Sequence, residues 1–80
     1  MASFHKNAPT ADIIIHVDEN INTKEEDVIL GELRKLDGVM SPDFNTPHLI
    51  VVKYNPERVN SFELLTTVRS EGYHAQLLGI

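Results

Sequence analysis

The stretch that decides the fold runs from Val17 to Glu26 and reads VDENINTKEE. An apolar run, residues 13–17, precedes it, and an amphipathic segment that ends at Gly38 follows it. Apolar residues at every second position predict a strand before the stretch, and apolar residues spaced by three and four predict a helix after it. The stretch is therefore interpreted as the end of a strand, a short loop and the first turn of a helix.

The predicted helix start carries its own signals. Thr23 and Glu26 have the spacing of a capping box, in which each side chain bonds the backbone N–H of the other. Carboxylates in the first turn also suit the positive end of a helix dipole. We therefore expect a Thr23–Glu26 cap. Capping alone accounts for the acidic residues, and the alternative interpretation is a site for a hard cation or a basic partner.

Composition limits the possible functions. The chain has 80 residues, a net charge of −5 and no cysteine. The length predicts one small domain, and an acidic chain without a basic run is a poor nucleic-acid binder. The absence of cysteine excludes disulfides, thiolate metal ligands and a cysteine nucleophile. A polar N-terminus and no apolar run near the roughly 20 residues of a membrane span predict a soluble, cytoplasmic domain.

The same patterns along the chain predict the order β-α-β-β-α-β. Residues 1–11 lack periodicity and are predicted to be a flexible tail, with residues 12–80 forming the domain. The predicted strands are residues 12–18, 39–41, 49–54 and 73–78, the predicted helices are residues 23–37 and 61–71, and residues 42–47 are a predicted turn. Short, right-handed connections make this order an α+β, ferredoxin-like sandwich. Its four-stranded antiparallel sheet would have strands one and three in the middle and both helices on one face.

Three short motifs in register resemble a known family. They are LDGV at residues 36–39, YNP at residues 54–56 and GYHA at residues 72–75. These are similar to the Gly-Val, Tyr-Asp-Pro and Gly-Tyr-x-Ala of the heavy-metal-associated domains of copper chaperones and metal-pumping ATPases. The resemblance covers residues 12–77 and implies the same ferredoxin-like fold, with the aromatic Tyr73 beside the metal loop.

The chain departs from that family at the metal loop. Counted without gaps, the family's Met-x-Cys-x-x-Cys falls on Asn20, Asn22 and Glu25. Two soft thiolates hold Cu(I) in the family, and an amide with a carboxylate would not. The resemblance therefore implies the scaffold of a metallochaperone, while thiolate binding of Cu(I) is excluded.

Histidines offer a different metal chemistry. In this topology three connections lie at one end of the sheet: the first loop, the turn between strands two and three, and the segment before strand four. His16, His48 and His74 all lie toward that end. His16 and His74 share the parity of the helix-free face on neighbouring strands and could form a cross-strand pair, whereas His48 has the parity of the core side and His5 lies in the tail. Nitrogen and oxygen ligands suit Zn, Ni, Co or Cu(II). The candidate ligands are His16, His74, Asp18 and Glu25, with Glu19 as a further carboxylate; the competing interpretation is exposed histidines with nothing bound, which the absence of tight spacing favours.

The helix-free face of the sheet is the third candidate site. Contiguous apolar residues on central strands indicate a docking surface or a homodimer. The residues predicted there are Ile14, Leu49, Val51 and Leu78, beside His16, Lys53 and Gln76.

Two functions follow from these features. The first is a non-catalytic binding module that acts by protein–protein contact in or near a metal-handling system. The alternative is a divalent metal-binding protein with histidine and carboxylate ligands. An enzyme is disfavoured, because no Ser-His-Asp order and no phosphate-cradling glycine-rich loop is present.

Overall fold

The computed structural model describes residues 9–79, which form two helices packed on a four-stranded antiparallel sheet. The predicted α+β, ferredoxin-like fold is confirmed, although most of the predicted tail, residues 1–8, lies outside the described residues. The elements are β1 (Ala11–Val17), α1 (Thr23–Arg34), β2 (Val39–Thr46), β3 (Leu49–Tyr54), α2 (Ser61–Ser70) and β4 (Ala75–Gly79). Within residues 9–79, neither helix is long and apolar enough to cross a membrane.

The sheet has the order β2-β3-β1-β4, so that β1 and β3 are the central strands, as predicted. In the β1–β3 ladder, Ile15 lies opposite Ile50 and Ile13 lies opposite Val52. Both strands place alternate side chains on the helix side, because successive side chains of a strand point to opposite faces. Ile15, Ile50 and Val52 are completely buried there.

Each helix contributes one apolar stripe to this core. The buried members are Ile29, Leu30 and Leu33 of α1 and Leu64, Leu65 and Val68 of α2. A fully buried side chain of this size contributes roughly 1.5–3 kcal/mol relative to exposure. Two stripes on one face of the sheet therefore supply a single core and leave the other face without a helix.

The second strand is longer than predicted. Residues 42–47 were expected to form a turn, but β2 continues to Thr46 and only Pro47 and His48 turn the chain. Proline is compatible with an edge strand, where a missing N–H breaks no essential ladder bond. Pro42 is buried opposite Val52, and this packing keeps the segment extended despite its turn-like composition.

The end of α1 also differs from the prediction. The helix ends at Arg34 instead of residue 37. After it, the backbone N–H groups of Lys35 and Leu36 donate to the carbonyls of Glu32 and Leu33, each three residues earlier. Such three-residue spacing is common in a last turn. The smaller differences are that β1 begins at Ala11, α2 ends at Ser70 and β4 begins at Ala75.

Two of the three sequence motifs meet at the end of the molecule where α1 finishes. The Asn55 N–H donates to the Gly38 carbonyl at 2.7 Å, and the Asn55 side chain accepts from the Glu57 N–H at 2.9 Å. Gly38 has a φ of 105°, in the region that favours glycine. A Cβ at Gly38 would lie 2.8 Å from the Arg58 Cβ and 3.0 Å from Val59 Cγ1. The motif residues therefore fix a close backbone approach, which is a structural role.

Replacing Gly38 by alanine should destabilise the protein more than replacing Gly72 does. Gly72 also has a positive φ, of 100°, but a Cβ there would meet nothing within 4 Å. We expect Gly72→Ala to cost about 1–2 kcal/mol from backbone conformation alone. Gly38→Ala should cost at least about 1 kcal/mol more, because of overpacking. Urea unfolding of both variants measures the difference, and equal costs would show that the contact with Arg58 and Val59 is unimportant.

Candidate functional site at the loop end of the sheet

Three connections meet at one end of the sheet, which we call the loop end: residues 18–22, 47–48 and 71–74. The Val17 N–H donates to the His48 carbonyl at 2.8 Å, and the Asp18 N–H donates to the His74 carbonyl at 2.9 Å. These bonds extend the ladders of β1 to both neighbours beyond the strands themselves. The predicted convergence of the three connections is therefore confirmed, and their backbones are held together.

The first loop enters α1 through a cap that lies one residue earlier than predicted. Asn22, not Thr23, is the capping residue, and its Oδ1 accepts from the Glu25 N–H at 2.8 Å. Glu25 Oε1 in turn accepts from the Asn22 N–H at 3.0 Å. Both pairs have the same spacing, but asparagine is the stronger N-cap, and Thr23 is already helical. The expected Thr23–Glu26 box is therefore wrong.

The same device begins α2. Asn60 Oδ1 accepts from the Glu63 N–H at 2.8 Å, and Glu63 Oε1 accepts from the Asn60 N–H at 3.0 Å. The two helix starts are thus matched in residue type, spacing and distance. Asn22 and Glu25, which the family resemblance aligns with two metal-binding cysteines, here complete a helix cap, while Asn20 is exposed in the loop.

His74 is tied to the first loop through Glu19. Glu19 accepts from the His74 backbone N–H at 2.9 Å, and the His74 Nδ1 lies 2.6 Å from Glu19 Oε2. The hydrogen bond to the Glu19 carboxylate, followed by its charge, raises the pKa of His74 above 6.5. The same side-chain bond lowers the pKa of Glu19 below 4.5. This exposed pair therefore links β4 to the first loop, most strongly when both groups are charged.

Tyr73 lies beside the capped loop. Burial raises the pKa of its phenol, and the Glu25 carboxylate adds to this, followed by Glu71 and Glu19. The neighbouring carboxylates act in that direction because they disfavour a second negative charge. The ring thus stands in an acidic environment, next to one of the positions aligned with the family's cysteines.

The candidate metal ligands meet only in pairs: the His16 Nδ1 lies 3.3 Å from the Asp18 Oδ1, and the His74 Nδ1 lies close to Glu19. His16 lies directly opposite Gln76 in the β1–β4 register, and His74 precedes β4, two residues before Gln76. His74 is occupied by Glu19, and Glu25 is occupied by the cap. Among residues 9–79, no group of three or more histidine, cysteine, aspartate or glutamate side chains is arranged to hold a metal ion.

His16 instead stacks on His48. The ring centroids are 6.0 Å apart and the planes differ by 17°. Alternation places the His48 side chain on the core side, but this rule holds within a strand, and His48 lies in the turn before β3. The signal that could have revealed this is Pro47, which favours a turn at this point.

Three of the apolar residues predicted for the helix-free face, Ile14, Leu49 and Val51, adjoin one another on β1 and β3. Ile14 lies directly opposite Val51, and His16 lies opposite Leu49, so the three apolar residues are contiguous across β1 and β3. All three are partly exposed. Lys53, at the far end of the row, is paired with Asp12 at 3.5 Å. We call this set of residues the open-face row: Ile14, Leu49, Val51 and Lys53.

An open depression of about 450 Å³ lies at the loop end, beside the start of β4 and the last turn of α2. Its lining includes both charge signs, from Asp18 and Arg69, and the Arg69 Nε donates to the Ala75 carbonyl at 2.9 Å. The remaining lining residues are Tyr73, His74, Ala75 and Gln76. The guanidinium is therefore used to hold the start of β4.

No protein-family model and no curated protein matches the sequence. Solved structures do match. The N-terminal domain of a potential copper-translocating P-type ATPase from Bacillus subtilis, in the Cu(I)-loaded state, is 24% identical with a TM-score of 0.80, over 89% of this chain and 90% of that one. The N-terminal domain of PacS from Synechocystis PCC6803 is 25% identical with a TM-score of 0.72, over 85% and 97%.

Oxidized MerP from Ralstonia metallidurans CH34 has the same fold at 15% identity, with a TM-score of 0.78 over 88% of this chain and 99% of that one. A CopZ metallochaperone is also similar in structure. These likenesses extend over nearly the whole of the compared domains. They establish that this chain has the ferredoxin-like fold that these proteins share.

Removing the cap of α1 should cost as much as removing the cap of α2. Asn22→Ala and Asn60→Ala each break a reciprocal box of the same geometry, and loss of an N-cap costs about 0.5–2 kcal/mol. Thermal and urea unfolding of the two variants measure these costs. A negligible cost at Asn22 beside a normal cost at Asn60 would show that the first box does not stabilise α1.

The His74–Glu19 pair should make stability depend on pH. Since the pKa of His74 is raised, its contribution is complete below about 6.5 and is lost as the pH rises through the folded value. Since the pKa of Glu19 is lowered, its contribution is present above about 4.5 and is lost as the pH falls through the folded value. The pair therefore stabilises most between these limits.

NMR titration of the His74 ring tests this directly. We expect its pKa to lie above 6.5 and to fall in Glu19→Gln, because the carboxylate that holds the proton is gone. Glu32→Gln is the matched control, since Glu32 is an exposed carboxylate paired with Lys35 on α1. An unchanged His74 titration in Glu19→Gln would contradict the pairing.

Proposed function

We propose that this chain is a small, non-catalytic protein-binding module, built on a heavy-metal-associated scaffold whose metal loop has become a helix cap. It acts through the open-face row in or near a metal-handling system of the cytoplasm. The observation that carries the proposal is the contiguous apolar row on the two central strands, on the face opposite the helices.

The loop supports this function by what its residues already do. Asn22 and Glu25 satisfy each other's backbone N–H groups, so their oxygens are engaged within the helix start. Neither residue is a soft ligand, and the sequence contains no cysteine, so a thiolate site for Cu(I) is not available in this chain. The scaffold therefore offers its surface and shape to a partner, with no thiolate-bound copper ion to deliver.

The open-face row has the chemistry expected at the centre of a docking surface. Ile14, Val51 and Leu49 adjoin one another, because side chains directly opposite in an antiparallel pair are about 4.5–5.5 Å apart at Cβ. An apolar centre with polar surroundings is typical of protein interfaces. On the edge strand, Asp43 lies beside Val51, so the row has a carboxylate on its border.

Charge selects the kind of partner. The chain carries a net charge of −5, which makes two copies repel each other and favours association with a basic surface. The partner is therefore a different protein with an apolar patch bordered by lysine and arginine. The names of the similar solved structures, which include copper-binding and copper-translocating proteins, support a partner from a metal-handling system.

A charge placed in the row should abolish the association. In Val51→Glu a carboxylate replaces a central apolar contact, and we expect at least about a tenfold loss of affinity. The matched control is Val28→Glu, because Val28 is 51% exposed on α1, away from the open face. The partner is captured from host extract on the immobilised wild-type chain, identified by mass spectrometry and purified. Its affinity is then measured by calorimetry for the wild-type chain, Val51→Glu and Val28→Glu.

Circular dichroism of both variants shows whether they remain folded. Loss of binding in Val51→Glu with retention in Val28→Glu supports the proposal, as do amide shifts confined to β1 and β3. Equal loss in both variants, or full affinity in Val51→Glu, would refute the open face as the binding surface. Concentration-dependent self-association as the sole interaction in sedimentation would refute the heterologous partner.

A further inference from the structure

The two stacked histidines on the loop end have a geometry that the proposed function does not use. His16 comes from the end of β1, and His48 comes from the turn between β2 and β3. Their rings lie nearly parallel with centroids 6.0 Å apart. Both side chains are partly exposed, so one edge of the pair faces solvent.

In each ring the surroundings indicate which of the two nitrogens carries the proton. The His48 Nδ1 lies 2.9 Å from the Val17 carbonyl oxygen. A carbonyl only accepts, so this nitrogen carries the proton and donates. The Nε2 of His48 is then left with its lone pair, which is the form of imidazole that binds a metal.

His16 has a similar arrangement with a carboxylate. Its Nδ1 is buried and makes no hydrogen bond to any described residue, and the Asp18 Oδ1 lies 3.3 Å away. A carboxylate at that distance favours a proton on Nδ1, which leaves the lone pair on Nε2. Metal-binding histidines almost always donate their second ring N–H to a carboxylate, a backbone carbonyl or a water. His48 has such a carbonyl partner in Val17, and the corresponding nitrogen of His16 has the Asp18 carboxylate beside it without a hydrogen bond.

We propose that His16 and His48 form a two-imidazole site for a borderline divalent transition metal, such as Zn²⁺ or Ni²⁺. The ion binds the two Nε2 atoms, and water fills its remaining positions, since the described residues gather no third ligand. The proposal does not rest on the docking function, although His16 lies opposite Leu49 at the border of the open-face row. It uses none of the residues aligned with the family's metal-binding motif.

The distances allow this without movement of the backbone. A metal–nitrogen bond is about 2.0–2.1 Å, so two imidazoles on one ion have their nitrogens roughly 3–4 Å apart. The ring centroids are 6.0 Å apart and both side chains are partly exposed, so the site requires the two rings to turn their Nε2 atoms toward one point in solvent. The ladder bond from the Val17 N–H to the His48 carbonyl, 2.8 Å, meanwhile holds the two backbones in place.

The chemistry selects the ion and excludes the other described histidine. Imidazole suits zinc, nickel and copper, while magnesium and calcium prefer oxygen ligands. The His74 ring is hydrogen-bonded to Glu19, and His74 precedes β4. The β4 residue opposite His16 is Gln76. His74 is therefore a matched control, a histidine at the same end that takes no part in the site.

Calorimetric titration with Zn²⁺ and with Ni²⁺ tests the site on the untagged 80-residue chain. His5 lies outside the described residues and is a competing ligand, so all measurements are made in a His5→Ala background. We expect binding that His16→Ala and His48→Ala each weaken by about tenfold or more. His74→Ala should retain the affinity within about twofold, and Mg²⁺ should give no binding, in accord with its preference for oxygen ligands.

Two further measurements keep the result interpretable. Circular dichroism checks the fold of each variant, with His16→Gln and His48→Gln as polar replacements if an alanine variant unfolds. In the unmodified site, NMR should show the ring resonances of His16 and His48 shifting together with added Zn²⁺ while those of His74 stay in place. Zinc binding that survives loss of either histidine, binding that depends on His74, or no binding at all would overturn the proposal.

Discussion

Alternate burial along the two central strands is the constraint on which the rest of the structure depends. Because β1 and β3 each have one side packed under the helices, the parity of a residue decides whether it belongs to the core or to the surface. Ile15 and Ile50 are completely buried on one side, while Ile14 and His16 are displayed on the other. Every candidate contact on the open face follows from this single arrangement, and a slip of one residue would exchange the two sets.

At the loop end, the backbone at the start of α1 is fixed by an asparagine–glutamate capping box. Both helices begin with the same asparagine–glutamate box, so the start of α1 uses the same local solution as the start of α2. Hydrogen bonds from β1 to His48 and His74 hold all three connections in place around this cap. At the loop end these polar contacts act together with the buried Ile21 and the packed Tyr73. Under the proposed function, the partner is recognised by the open-face row of the sheet, and the first loop serves as a helix cap.

Much of the fold could be predicted because the strongest signals are local. Ile13, Ile15 and Val17 alternate within one strand, and their burial follows directly from that pattern. The cap was misplaced because Asn22–Glu25 and Thr23–Glu26 have the same spacing, and the stronger capping preference of asparagine was the signal that separates them. The predicted β2 was too short, because proline at position 42 favours a turn by composition and only its packing shows that the segment is a strand. The His16–His48 pair was missed, since the ring direction of a turn residue is not set by alternation.

The margins of the sheet have a consequence for how the protein behaves at high concentration. On β2, Pro42 brings no N–H to the backbone, and on β4 the register with β1 shifts between Ile14 and Ile15. Proline and bulges on edge strands hinder the addition of a foreign strand. Both borders therefore resist the edge-to-edge stacking by which small sheets grow into fibrils or exchange strands between molecules. A domain of this kind can be abundant and remain a separate molecule, with its side chains as the means of contact.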